Sequence, residues 1–234
     1  MFKSVVLVKN ISIFRLKHSF IKENAMTIIT EETEARVVRL EAGAFSEAKA
    51  ILYRSYKNEP TFKYLFDSTR SGYDQRVRAT IRELIGLHFS NQQDVIGLAL
   101  DSHLIAVALV GNSTVRLNLS SKLNWRMRMI LTAGFDCTTR YVDYHKQIHQ
   151  CLPEGSFHEL PLLGVDSKYR NLGYGKQLMS AIENICKENP RSSGIALDTG
   201  NSRYLDFFKR IGYETVGNVK LGVLTESVLF KSCH

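Results

Sequence analysis

One stretch narrows the fold more than any other. An apolar run from Phe157 to Val165 has the length of a strand. Asp166-Ser167-Lys168-Tyr169-Arg170-Asn171-Leu172-Gly173-Tyr174-Gly175 follows, and a helical period then runs from about Leu172 to Glu188, with Met179, Ile182 and Cys186 on one stripe. A strand that turns into a helix through glycines is the unit of layered α/β proteins, where helices cover a central sheet.

The rest of the chain agrees. Ala35–Leu40 reads as a strand. Ser46–Tyr56 reads as a helix with Ser46 as its N-cap, stopped by Pro60. Tyr73–Ser90 is a second helix, with Val77, Ile81, Leu84 and His88 in step. The period then shortens. Val95–Leu100 and Leu104–Val110 are apolar runs around Asp101-Ser102-His103, a hairpin signature. Residues 121–151 return to helical texture. Gly194–Asp198 is a strand, and Ser202–Ile211 a helix ended by Gly212. Thr215–Leu221 and Val223–Lys231 close the chain as strands. The expectation is a mixed α/β layer fold of order β-α-α-β-β-(helical insert)-β-α-β-α-β-β. A chain of 234 residues accommodates one such domain with its core, and a second would be tight.

Glycines at a strand-to-helix turn let a ligand approach the backbone, and the free N–H groups at the helix start bind phosphate oxygens. Arg170 and Lys176 add charge beside this loop. Ordinary turns also contain Gly-x-Gly, so Gly173 and Gly175 alone fit either a turn or a phosphate cradle. The dinucleotide fingerprint is disfavoured. Its third glycine position is Leu178, Gly173 comes eight residues after the strand end, and only 36 residues follow Asp198. The chain has no P-loop pattern.

Arg170-x-x-Gly173-x-Gly175 after a Leu-Gly-Val strand resembles the acetyl-CoA loop of the GNAT superfamily of N-acetyltransferases. Glu159–Val165 looks like that family's fourth strand. Asn201 with Tyr204–Tyr213 resembles its terminal motif, and Ser55–Pro60 with Tyr64–Phe66 resembles the first-helix region of its small-molecule members. The likeness is specific over 157–214, extends over 35–230, and is faint across the helical insert 112–152. It implies a GNAT-like mixed central sheet flanked by helices in a single domain, 26–234, behind an N-terminal extension, 1–25.

The resemblance also implies a reaction: transfer of acetyl from acetyl-CoA to a primary amine, on a small molecule, in a ternary complex. The coenzyme set would be Leu163, Gly164, Val165, Arg170, Asn171, Leu172, Gly173, Tyr174, Gly175, Lys176, Asn201 and Phe208. The backbone of 163–165 would hold the pantetheine arm, and the N–H of Val165 would face the oxyanion, a donor that contributes about 3–4 kcal/mol. Glu159 aligns with the family's strand-four base. Strand alternation turns the neighbouring His158 to the opposite face. A tyrosine commonly serves as acid where this chain has Phe208, so Tyr204, one turn earlier, is the substitute. Expelling an unprotonated thiolate at pH 7 costs only about 2 kcal/mol, so an acid is also dispensable. Phe208 leaves room for a second reading, a non-catalytic acyl-CoA-binding module of the same fold.

Other features are weaker. Half of the formal net charge of +8 lies in 1–25, where Lys3, Lys9, Arg15, Lys17 and Lys22 face Glu23 alone. Lys9-Asn10 breaks the apolar core that a secretory signal needs. The segment reads as a transit peptide, a peripheral anchor or a loose extension. Cys137, Cys151, Cys186 and Cys233 form no Cys-x-x-Cys pair, which argues against a zinc knuckle and a disulfide scaffold and suits the cytoplasm. Cys186 has a packing role. His145 and His149 at i, i+4 could share a metal, yet position 146 is Lys where a metalloprotease helix needs glutamate; no metal is expected. Tyr141, Tyr144 and His145 would wall the acceptor pocket or face solvent. Arg116, Lys122, Arg126 and Arg128 around Trp125 fit a solvated helix face better than a nucleic-acid or membrane surface. No run is long enough to span a membrane. A homodimer through the late strands is conceivable.

Overall fold

The computed structural model describes residues 34–113 and 119–233. The extension 1–25, the start of the domain at 26 and Arg116 lie outside the described residues. The described residues belong to one compact unit.

The chain runs β1 (Arg36–Arg39), α1 (Phe45–Tyr56), α2 (Pro60–Leu65), α3 (Tyr73–Ser90), β2 (Asp94–Leu100), β3 (His103–Asn112), α4 (Leu119–Ala133), α5 (Phe135–Cys151), β4 (His158–Val165), α6 (Tyr174–Glu188), β5 (Gly194–Thr199), α7 (Ser202–Arg210), β6 (Glu214–Leu221) and β7 (Leu224–Ser232). The seven strands make one sheet in the order β1-β2-β3-β4-β5-β7-β6. Only β4 and β5 pair in parallel; every other pair is antiparallel. The α/β sheet flanked by helices is as expected.

Local chemistry explains most boundaries. Asp101 and Ser102 both adopt left-handed φ, 48° and 67°, which closes the β2–β3 hairpin with the twist its strands need. Pro60 opens α2 as its first residue, where its missing N–H costs nothing. This helix was not foreseen, because Pro60 read only as a stop. Ser46 does not cap α1: the helix starts at Phe45, and its N-cap position is Ala44, without a side-chain hydrogen bond.

Two cores lie on opposite faces of the sheet. One gathers α1 to α5, with Ile51, Leu52, Phe66, Ile81, Ile85 and Leu162 among its buried residues. The other lies under α6 and α7, with Leu178, Met179, Ile182, Leu197 and Phe208. Cys186 packs in this second core and is also disulfide-bonded to Cys233, beyond the end of β7. The expectation of no disulfide is corrected. Cysteines 47 residues apart give no local spacing signal; helix and strand geometry alone brings them together.

The functional feature of the sheet is where it fails to pair. β4 and β5 share only two rungs, His158 with Ile195 and Glu159 with Ala196. Beyond Glu159 the strands separate. On the other side of β4, Leu160 and Pro161 stand opposite Val110 alone, a bulge between the Leu109–Leu162 and Gly111–Glu159 pairs. Proline has no N–H to give a ladder, so Pro161 belongs at such a bulge. The bulge also reverses which face the side chains take. Leu160 belongs to the core under α6, whereas Leu162 belongs to the core under α1.

Candidate active site

The separation of β4 from β5 opens a cavity of about 330 Å³. Its mouth is basic: Arg170, Lys176, Arg203 and Arg210 line it, beside Asn171, Gly173 and Gly175. Its interior is aromatic and acidic. Tyr56 and Phe62 come from α1 and α2, Tyr141 and Tyr144 from α5, and Glu59, Asp198 and Glu226 bring carboxylates.

The mouth is shaped by the loop before α6. Asn171 takes φ 63° and Gly173 φ 89°, both left-handed. Asparagine tolerates that region and glycine enters it freely. Gly173 is the N-cap of α6, so the unsatisfied N–H groups and the positive end of a 15-residue helix begin there. Arg170 is fixed by two bonds: Nε donates to the Val165 carbonyl at 3.0 Å, and a terminal nitrogen donates to Ser55 Oγ at 3.3 Å. Arg203 donates to Asn171 Oδ1 at 3.2 Å and steadies the turn. Together, the left-handed loop, the helix start and the cationic rim have the chemistry that attracts anionic groups.

Inside, the free edge of β4 offers backbone groups. The Leu163 N–H donates to the Tyr56 hydroxyl at 3.0 Å, so it faces away from β3. Val165, two residues on, presents its groups to the same side, and its carbonyl holds Arg170. Burial raises the pKa of the Tyr56 phenol, so it stays protonated.

The residues singled out by sequence fall into three groups. Leu163, Gly164, Val165, Arg170, Asn171, Gly173, Gly175, Lys176, Tyr204 and Phe208 all line the cavity. Leu172, Tyr174 and Asn201 do not. Leu172 is 64% exposed, and Tyr174 stacks edge-on with Tyr169. The Asn201 side chain caps α7 by accepting from the Arg203 N–H at 3.1 Å, and its amide donates to Glu59 at 3.3 Å. Glu159 lines a smaller recess of about 20 Å³ that shares His145 and Asp198 with the main cavity. There it pairs with His149 at 3.3 Å, and this hydrogen bond raises the pKa of the half-exposed imidazole. His158 points the other way, with Nδ1 2.8 Å from Ser192 Oγ.

Neither histidine of the i, i+4 pair is free. His145 Nε2 is 2.7 Å from the Tyr141 hydroxyl, and burial pushes its pKa down to about 4. Around Trp125 the basic residues Lys122, Arg126 and Arg128 are exposed on α4, while Trp125 turns towards Tyr141 and Arg128 pairs with Glu83 at 3.0 Å.

Sequence reasoning missed the acidic interior. Asp198 is the penultimate residue of β5 (Gly194–Thr199), accepts a hydrogen bond from the Tyr144 hydroxyl, and is a hydrogen-bonding partner of Glu226. Glu226, only 2% exposed, accepts from Thr61 Oγ1 at 2.5 Å. The signal that could have found them is a carboxylate within an otherwise apolar central strand, since burying it unpaired is costly.

The mixed sheet is parted between two parallel strands, with glycines, a helix start and basic side chains at the mouth of the gap. Residues 138–213 match the model of the acetyltransferase (GNAT) family. This segment resembles that family, and the mixed sheet around it has the architecture the resemblance implies.

Solved structures share the architecture at low identity. A Corynebacterium glutamicum structure described as histone acetyltransferase HPA2 and related acetyltransferase aligns with a TM-score of 0.62 and 16% identity, over 85% of this chain and 96% of that one. Arylalkylamine N-acetyltransferase 2 from Aedes aegypti aligns with a TM-score of 0.55 and 15% identity, over 86% and 99%. The Drosophila melanogaster polyamine N-acetyltransferase, described as forming N-acetylagmatine, gives 0.53 and 13%, over 85% and 100%. These likenesses are of fold. No curated protein matches the chain in sequence.

Proposed function

We propose that this protein transfers the acetyl group of acetyl-CoA directly to a primary amine of a small molecule. One observation carries the reading. A single cavity runs from a basic mouth on the α6 loop, past the free edge of β4, to a chamber walled by aromatic rings and carboxylates. That layout suits an anionic coenzyme at one end and a cationic acceptor at the other. The neighbours that act on agmatine, arylalkylamines and polyamines favour an amine acceptor.

In this reading the loop N–H groups with Arg170 and Lys176 hold the coenzyme pyrophosphate. The exposed backbone of Leu163–Val165 binds the pantetheine arm as an added strand, and the Val165 N–H stabilises the oxyanion. Glu159 acts through water in carrying the amine proton away, since it opens onto the side recess. Tyr204 is the proposed acid for the departing thiolate, from the same cavity wall as Phe208. We place the protein in the cytoplasm, a reducing compartment in which the Cys186–Cys233 disulfide is an exception. Among the described residues no helix is long and apolar enough to cross a membrane.

Phe208 supports a second reading, a coenzyme-binding module without turnover, because phenylalanine cannot return a proton. Release of free thiol from acetyl-CoA, measured with and without a panel of primary amines, separates the two. Amine-dependent release supports the enzyme; tight binding with no release across the panel supports the module.

A further inference from the structure

We propose that the Asp198–Glu226 pair is the group that meets the acceptor's ammonium ion and takes its proton. The inference rests on the acetyltransferase reading and deepens it.

Position comes first. Ala196 makes the last β5 rung with β4, opposite Glu159, so Asp198 stands two residues past the point where the strands part. Its side chain takes the face of Ala196, towards α5, where the Tyr144 hydroxyl holds it. Glu226 reaches it from β7, across the end of β5. Gly200 makes this possible: a Cβ there would stand 2.5 Å from the Glu226 carboxylate and 2.8 Å from Thr61 Oγ1. Both carboxylates line the main cavity.

Charge comes second. Two carboxylates in hydrogen-bonding contact cannot both ionise cheaply, and a buried carboxylate needs a partner. The groups that act most strongly on the pair are Tyr144, Thr61, His149 and Glu159, none of them a lysine or arginine. Glu59 also lines the chamber beside α2, with Asn201 as its hydrogen-bond donor and the charges of Arg170 and Lys63 acting on it; Tyr56, Tyr141, His145 and Tyr204 complete the titratable wall, and Arg170, Lys176, Arg203 and Arg210 stand at the mouth. His145 stays neutral and the phenols of Tyr56, Tyr141 and Tyr144 stay protonated under burial. The interior is therefore short of positive charge, which a primary ammonium ion supplies. Burial raises the pKa of both acids, Glu226 to about 8. The raised pKa makes the ionised form of the pair a stronger base towards the ammonium than a carboxylate in water.

The balance is simple. The ammonium gives one proton to the pair and becomes a neutral amine. Its nitrogen forms the new C–N bond as the C–S bond breaks. The second nitrogen proton ends on the thiolate, giving the free thiol. The pair returns its proton to solvent past Glu159 and the half-exposed His149, which border the recess that Asp198 also lines.

The test is the pH profile of kcat/KM for acetyl-CoA with phenethylamine and 1,4-diaminobutane. It compares the wild type with Asp198→Asn, Glu226→Gln and Glu159→Gln, and calorimetry with acetyl-CoA runs alongside. The first two variants are expected to lose about 100-fold or more near pH 7.5, with acetyl-CoA affinity within about twofold of wild type. Their profiles should keep rising towards the amine pKa where the wild type levels off, because bulk solvent must then supply neutral amine. Should one variant fail to fold, seen as lost acetyl-CoA binding, the other carries the test; if neither binds, the pair is structural and the proposal fails. Wild-type-like profiles in Asp198→Asn and Glu226→Gln overturn the inference alone. A wild type that binds acetyl-CoA but acetylates neither amine overturns both the inference and the reading beneath it.

Discussion

The two ends of the cavity are built on different plans. The mouth is made from one continuous stretch, 163–176, closed by side chains from α7. Its work is done by backbone: a parted strand edge, a left-handed turn, a helix start. The chamber draws single side chains from α1, α2, α5, β5 and β7, positions spread from Tyr56 to Glu226. Its work is done by side-chain chemistry, and its carboxylates are expensive to bury. A coenzyme of fixed shape can be held by geometry that tolerates many side chains. An acceptor is chosen by the few groups that touch it. Substitutions in the mouth should therefore change donor affinity, and substitutions in the chamber should change turnover and its pH dependence.

The largest effect that would break this division is at Arg170. Arg170→Ala removes the cation and frees the Val165 carbonyl and Ser55. The expectation is a fall in acetyl-CoA affinity of about 10- to 100-fold, in line with about 1.5–3 kcal/mol for a charged hydrogen bond. Calorimetry reads it directly, and a variant that binds normally would show that the mouth does not hold the coenzyme.

Tyr204→Phe should act more weakly. Expelling the thiolate unaided costs about 2 kcal/mol at pH 7, so kcat should fall by no more than about 30-fold and recover as pH rises towards 8.5. A far larger loss, unrelieved by pH, would assign Tyr204 another role.

Gly200→Ala probes how the chamber is assembled. The new methyl collides with Glu226 and Thr61. Overpacking of this kind costs about 1–3 kcal/mol, and urea unfolding measures it. Turnover should fall with acetyl-CoA affinity kept.

A further effect is on stability against pH. The Glu226 pKa is raised on folding to about 8, from 4.5. The folded state then binds more protons between those values, so stability is full below about pH 4.5 and declines as pH rises through 8. Glu226→Gln should flatten that decline in Tm over pH 5–8. Parallel curves for both proteins would mean that Glu226 ionises in the folded state as it does in the unfolded one.

The same division explains what the sequence revealed. Strand, loop and helix at 157–188 are contiguous, and φ-permissive residues mark the turn. Gly173 and Asn171 were therefore visible by type and place, and α3, the β2–β3 hairpin and the late strands showed in their periods. The chamber was not visible. Tyr56 read as the last residue of a helix, although its hydroxyl receives the Leu163 N–H. Asp198 drew notice only for its distance from the glycines. Glu226 looked like an ordinary strand residue, since its partner lies 28 positions away and across the sheet. The Cys186–Cys233 link escaped for the same reason: contacts fixed by topology leave no local trace. Glu159 shows the reverse limit. Its type and strand were legible, but not its placement in a side recess against His149.

The most direct test of the central claim is calorimetric titration of acetyl-CoA into the wild type and into Gly173→Trp combined with Gly175→Trp, both checked for folding. Two indoles at the start of α6 would fill the cradle while leaving the chamber across the cavity in place. The account predicts micromolar binding to the wild type and none to the variant. A folded wild type that binds no acetyl-CoA, or a variant that binds it as well, would contradict it.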